Sequence, residues 1–297
     1  MNKPFGLNLT IGLTEPERRE SDMQLIEEFE VPVLITSYGN PTEYVKRAAK
    51  RGTVVFHDVI NLKHAKKAQE AGVDAIIGVS AGAGGHAGQI SPYTLIPYLR
   101  DNLDVPIIAA GCISTGEQIA ASLALGAELA YMGTRFITST ECQAELEYKQ
   151  MVVDAVPEDL VYTDQVSGTH ANFFKRTVPT HPDYDPTIAG DESKRWKSIW
   201  SAGQGSALIH EVKPVEEIVE ELDGCGARLW RLARGCDDNE EMRESDDEEW
   251  PQWFEDAARP YPVGRKDDKE PEILRHERRE EEGLCNARRV FKCALSQ

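Results

Sequence analysis

"VDAIIGVSAGAGGHAGQISPYTLIPYLRDNLDVPIIAAG", Val73 to Gly111, decides how the chain is read. It begins and ends with short apolar runs, "VDAIIGV" and "VPIIAAG", that show no strict polar alternation. Such runs suit parallel strands buried on both faces. Between them come a loop with very little side-chain bulk around one histidine, His86, and a helical stretch, "SPYTLIPYLRDNL". Strand, small-residue loop, helix and strand together make one βα unit and the start of the next.

The same unit recurs on both sides of this stretch, from Phe5 to Phe136. Further strand candidates are "FGLNLTI", "VPVLITSY", "TVVFHDV" and "AELAYMG". Helical stretches between them are "SDMQLIEEFE", "PTEYVKRAAKR", "NLKHAKKAQEAG" and "STGEQIAASLALGA". Strands return roughly every 20 to 33 residues, the length of a βα repeat. Ser114-Thr115-Gly116-Glu117 fits a capping box in which Glu117 reaches back to the Ser114 amide. Asn61 suits an N-cap, and Gly72 and Gly126 stand where a left-handed helix stop is wanted.

Six units fall two short of a closed eight-stranded barrel, and an open Rossmann-like sheet also holds six strands. No Gly-x-Gly-x-x-Gly follows the first strand, however, and the glycines gather after the fourth, fifth and sixth. That distribution matches the phosphate-binding end of a TIM barrel. The expected fold is therefore α/β, a TIM-barrel type (β/α)8 lacking its first two strands, with a helical insertion after the last strand.

After Phe136 the rhythm stops. We divide the chain into barrel units over 1–139, a helical and irregular insertion over 140–200, a loop and C-terminal helix over 201–234, and an acidic tail over 235–297. The insertion opens with a helix, "ECQAELEYKQMVVDA", and the third segment pairs "WSAGQGSALIHEV" with the helix "PVEEIVEELDGCGARLWRLA". The tail has few aliphatic residues and dense charge of both signs, a composition that cannot offset its ordering entropy. It reads as a disordered or loosely helical segment, with Trp250 and Trp253 as the residues able to anchor a short helix on a partner.

The 297 residues carry a formal charge of -18. Such acidity argues against nucleic-acid binding, which needs cationic surface to replace counterions, and against adsorption to an anionic membrane. No apolar run reaches the roughly 20 residues that span a bilayer, and the start lacks the pattern of a signal peptide. Six cysteines are scattered without a Cys-x-x-Cys pair, which indicates neither a zinc ribbon nor a disulfide framework. A reducing, cytoplasmic setting is expected.

Two glycine loops follow adjacent late strands, "AAGCISTGEQ" at Ala109–Gln118 and "YMGTRF" at Tyr131–Phe136. Small residues there let backbone approach a ligand, and a helix N-terminus offers amides to a phosphate. With Arg135 adjacent, the pair reads as a phosphate grip. His86 lies between Gly84, Gly85, Ala87 and Gly88 at the C-terminal mouth, where barrel enzymes hold their chemistry. An imidazole there suits proton abstraction from carbon. His57 is expected after the third strand, where it too could face the mouth; His64 and His210 read as surface residues. No His/Asp/Glu set has metal-ligand spacing, so no metal site is expected.

"GAGGHAG", "AAGCIS", "YMGTRF", "YKQMVVDA" and "WSAGQG", in this order, resemble the nitronate monooxygenases, formerly called 2-nitropropane dioxygenases. The resemblance runs from about Lys3 to Leu232. It implies an FMN-dependent TIM barrel in which His86 is the active-site base, removing a proton from a nitroalkane or orienting a nitronate. O2 would be the oxidant, with a carbonyl compound and nitrite as products. By the same resemblance, Asn8 contacts the flavin, and Gly84 and Gly85 line its ring. Gly111, Cys112, Met132, Gly133, Thr134 and Arg135 form the cofactor's phosphate end. Gln204 and Gly205 match the wall of the substrate pocket.

Several positions depart from the family's pattern. Family members carry two further strands at the N-terminus, and a homo-oligomer is one way to fill the resulting open edge. Cys112 stands where a second glycine is usual, and beside a helix N-terminus its thiol is a candidate for a lowered pKa. Val79 replaces a common glutamine, and the tail has no counterpart. The alternatives to nitronate oxidation are an NAD(P)H-dependent flavin reductase of the same barrel, acting on a quinone or an enoyl thioester, and a non-catalytic remnant that no longer holds FMN.

Overall fold

The computed structural model describes residues 5–188, 199–233 and 290–292. Six parallel strands follow one another in chain order across one sheet: β1 (Gly6–Thr10), β2 (Val33–Ser37), β3 (Val54–Val59), β4 (Ala75–Val79), β6 (Ile107–Ala110) and β7 (Leu129–Met132). Each pairs with the next in parallel register, for example Phe56 with Ala75 and Gly78 with Ala109. Helices α1 (Pro16–Glu28), α2 (Thr42–Ala48), α3 (Leu62–Ala71), α4 (Pro92–Arg100) and α5 (Gly116–Ala124) make the returns. The sheet curls as part of a (β/α) barrel, with β1 at one edge. At the other edge a strand from the C-terminal segment, Val290–Lys292, lies parallel to β7. The rest of the acidic stretch, Trp250 and Trp253 included, is outside the described residues.

Both faces of the sheet are apolar, which is why its strands carry no alternation. Val33, Ile35, Val54, Phe56, Ala75, Ile77, Ile108, Ala110 and Leu129 pack together on the inward face. The intervening residues, Leu34, Val55, Ile76, Ala109 and Ala130, join the helices' Met23, Ile26, Ala65, Leu95, Leu99 and Ile119. Helix ends follow the sequence signals closely. Asn61 accepts a hydrogen bond from the His64 amide, and Gly72 closes α3 at φ +88°.

Two local readings are corrected. The helix before β2 starts at Pro16 rather than near Ser21, because a proline at the first helical position loses no hydrogen bond there. The capping box of α5 lies one residue later than the spacing suggested. Thr115 is the N-cap, and the Gln118 side chain accepts from the Ser114 and Thr115 amides; Glu117 is an exposed first-turn residue.

The insertion holds more order than its composition suggests. After α6 (Thr134–Ile137) and α7 (Leu146–Asp154), strands β8 (Leu160–Thr163) and β9 (Ala171–Phe174) form an antiparallel hairpin. The two-residue strand β5 (Gly85–His86) pairs with β9, so the hairpin lies against the loop that leaves β4. Tyr148 of α7 stacks on Trp200 at 5.0 Å and donates to the Ser201 carbonyl. Helix α8 (Val215–Ala233) then packs against α5 through Ile218 and Leu222.

Phe56 is the largest fully buried side chain of the inward face. Phe56→Ala should cost about 3–5 kcal/mol, from lost transfer energy and the cavity left behind. Urea denaturation should show the midpoint falling with little change in slope.

Candidate functional site

Residues 80–84 leave β4 as a loop, and Gly85 then turns the chain at φ +69°, a conformation that favours glycine. His86 follows, held by β5–β9 pairing opposite Ala171. Its half-buried ring meets the Tyr38 ring edge-on, with centroids 4.9 Å apart. Nε2 lies 3.1 Å from Ser167 Oγ. The Ser167 hydroxyl donates to the Thr169 carbonyl, so its oxygen is left to accept from Nε2–H. That network assigns the proton to Nε2 and leaves the Nδ1 lone pair without a partner among the described residues. Burial holds the imidazole below the usual 6.5, so it is neutral at pH 7 and able to take a proton.

Three further residues share this mouth. Tyr38 follows β2 at φ +53°, in a region a bulky residue rarely adopts. Its hydroxyl is pushed up to about 12 by burial, with Tyr162 and Asp58 adding to the shift. Tyr162 of β8 donates to the Ala87 carbonyl at 2.8 Å. Asp58 follows Val54 and Phe56 on the inward side of β3. Its Oδ1 is buried with no hydrogen-bond partner, and burial alone pushes the carboxyl up to about 7. Sequence reasoning missed all four of Tyr38, Asp58, Tyr162 and Ser167. Asp58 could have been found, since an acid at an inward strand position breaks the pattern of "VVFHDV".

The glycine loops meet at a second place, around the segment Ser201–Ser206. The Gly203 amide donates to Thr134 Oγ1 at 3.0 Å, and the Gln204 amide to the Gly82 carbonyl at 2.8 Å. A methyl group on Gly84 would lie 2.8 Å from the Gly203 nitrogen, and one on Gly205 would lie 2.5 Å from Ser114 Oγ. Gly111 turns at φ +104° and Cys112 at φ +56°. The left-handed backbone at Cys112 explains why glycine is the usual residue there. Ser114 Oγ and Ser206 Oγ are buried and have no hydrogen-bond partners. Two orphaned hydroxyls near the first turn of α5 suit a phosphate, so the residues present fit the phosphate end of a flavin nucleotide. A neighbouring cleft of 240 Å³ is lined by Ser114–Glu117, Arg135 and residues 208–211 of the following loop.

The structure therefore brings Gly84, Gly111, Cys112, Gly133, Thr134, Gln204 and Gly205 to one junction, with His86 on the β5 side of the same loop. Other expected site residues sit differently. Asn8 lies within β1, exposed on the inward side, and accepts from the Thr10 hydroxyl at 3.2 Å. Met132 turns its side chain into the helix-facing core, because Tyr131 takes the inward position. Arg135 is buried, donates to Thr138 Oγ1 at 2.7 Å and lies 3.7 Å from Glu221 of α8. Its charge is already neutralised, so it anchors α8. The absence of bulk at Gly84 is explained by the close passage of Ala202 and Gly203.

Burial raises the Cys112 thiol rather than lowering it, against the hydrogen bonds it accepts from the Gln204 and Gly205 amides. His57 lies inside β3, buried on the helix-facing side with Nδ1 2.8 Å from Thr36 Oγ1, and does not reach the mouth. Among the described residues there is no group of three potential metal ligands, and no helix is long and apolar enough to cross a membrane.

The sequence profile of the nitronate monooxygenase family matches residues 2–181. The chain belongs to the nitronate monooxygenase family. These are oxidoreductases that depend on a flavin. A probable nitronate monooxygenase from Staphylococcus saprophyticus is 27% identical over 246 residues, covering 72% of this chain and 69% of that protein. FabK from Thermotoga maritima has the same fold at a TM-score of 0.68 and 30% identity, covering 79% of both chains. Nitroalkane oxidase from Streptomyces ansochromogenes aligns at a TM-score of 0.67 and 24% identity, over 79% of this chain and 83% of that one.

Asp58 makes stability depend on pH. A carboxyl raised in the fold from 3.8 to about 7 favours folding at low pH, and that contribution is lost as pH rises toward 7. Asp58→Asn should therefore gain on the wild type from about pH 4 upward, reaching about 4 kcal/mol above pH 7. Denaturant titrations at pH 5 and pH 8 measure this gain, and an equal difference at both would contradict it.

Proposed function

We propose that this chain is an FMN-dependent oxidoreductase that converts a nitroalkane or its nitronate, with O2, into a carbonyl compound and nitrite. The observation that carries this reading is His86, a neutral imidazole with its Nε2 proton tied to Ser167 and its Nδ1 lone pair unused. Nδ1 would take the proton from the carbon next to the nitro group, as a general base near neutrality does. Strand β5 fixes the backbone of that base and Tyr38 its ring plane, so it would meet the substrate already oriented. The β8–β9 hairpin would keep water from the acidic carbon. When bound, FMN supplies the electron acceptor that oxidation of such a carbon requires. Ser114 and Ser206, with the backbone of Gly111, Cys112, Gly133 and Thr134, would hold its phosphate; Gln204 and Gly205 would border the pocket. The acidic charge and unpaired Cys112 and Cys142 suit a cytoplasmic enzyme, and the unpaired edge of β1 suits a homo-oligomer.

A second reading, an NAD(P)H-dependent flavin reductase, draws on the similarity to FabK, whose identity exceeds that of the nitroalkane oxidase. Anaerobic mixing separates the two: a nitronate bleaches the bound flavin under the first reading, NADH under the second. Protein that stays colourless after incubation with FMN would contradict both.

His86→Asn should keep its flavin, seen by absorbance, and lose about 10²–10⁴-fold in turnover of neutral nitroalkane. Turnover of preformed nitronate should fall far less, because it has no proton to give up. Equal losses on the two substrates would remove the role of base.

A further inference from the structure

Among the middle strands of the sheet, β2, β3, β4 and β6, the inward ends at the mouth are small or apolar, with one exception. Ser37 closes β2, Val79 closes β4, Ala110 closes β6, and Asp58 stands among them near the end of β3, in register with Ile77. Its Oδ1 is buried without a partner, so the carboxyl holds an unsatisfied hydrogen-bonding position in the floor of the mouth. The titratable groups around it are Tyr38 from the loop after β2, Tyr162 from β8 and His86 from β5. Strands β2 and β4 on either side contribute only Ser37, Ile77 and Val79. None of these is a cation, and burial is the one influence that shifts the Asp58 carboxyl.

We propose that Asp58 is the proton-holding group of the mouth, so that an anionic ligand binds there only together with a proton on Asp58. Protonated, the carboxyl donates a hydrogen bond to the anion; ionised, it repels the anion at short range with no cation to offset it. A neutral ligand binds without that requirement. Above neutral pH the site therefore takes the uncharged carbon acid in preference to its preformed anion, and His86 does the deprotonation in place. The inference rests on reading this mouth as the substrate site of the flavin-loaded enzyme.

Propionate, a carboxylate with the shape of a small nitronate, and propionamide, its neutral counterpart, provide the test. Their Kd values would be measured calorimetrically with the flavin-loaded protein between pH 6.5 and 8.5, in buffers of different ionisation heat. Burial holds His86 below its usual value, so it is neutral in the alkaline part of this window, from pH 7.5 upward, where the slope is read. In the wild type, the propionate Kd should rise about tenfold per pH unit above neutrality, with uptake of close to one proton. The propionamide Kd should stay flat. Asp58→Asn should abolish both the slope and the proton uptake, and Asp58→Ser, which buries a smaller polar group, should do the same. A slope that persists in both variants, or a flat propionate response in the wild type, overturns the proposal and leaves the substrate-site reading standing. If neither probe binds the wild type at any pH, the substrate-site reading fails and the proposal with it.

Discussion

Everything at this site depends on two residues of extended chain. Gly85 and His86 leave the barrel as strand β5 and pair with β9 of the insertion. Without that ladder, His86 would be a side chain on a glycine loop, free to take many orientations. With it, the imidazole is set by backbone hydrogen bonds on one side and by Ser167, from the same hairpin, on the other. The barrel supplies the position and the insertion supplies the direction. Neither alone fixes an imidazole with an assigned proton.

The parallel sheet was legible in the sequence because its signal is local. Runs such as "DAIIGV" and "PIIAAG" are apolar on both faces, and caps such as Asn61 and Gly72 act within one helical turn. The glycine junction was legible for a related reason, since a missing side chain marks a close approach even before the approaching partner is known. What the sequence hid was long-range. Ser167 and Tyr162 come from a stretch rich in polar and turn-forming residues, and nothing local announces that it folds back onto His86. The side chain of Met132 points away from the junction, which a motif could not show because it gives positions but not the side of the strand, and Arg135, in α6, is engaged by Thr138 and Glu221. Alternation placed Tyr131 inward and Met132 outward.

The junction also explains how little freedom the glycines leave. Gly84 has no room for a methyl group beside Gly203, and Gly205 has none beside Ser114. Three barrel loops and the segment after the insertion are thus pressed backbone against backbone. Cys112 is the exception, a side chain in a left-handed conformation that its thiol helps to hold by donating to the Ala81 carbonyl at 3.3 Å. The strain of the conformation and the contact of the sulfur oppose one another, and both fall at the point where the phosphate end of the cofactor is expected.

The β5–β9 pairing has a consequence for the order of assembly. His86 and Ala171 meet across a long stretch of chain, which includes the last two barrel strands and all of α7. Closing so long a loop is entropically slow compared with joining successive βα units. During synthesis, the strands β1 to β7 are complete before the hairpin has emerged. The sheet can therefore be in place while the orientation of the imidazole is still undefined, and completion of the mouth becomes a separate, later event than acquisition of the barrel. Changes in the hairpin would then lower the fraction of competent molecules without altering the thermal behaviour of the sheet.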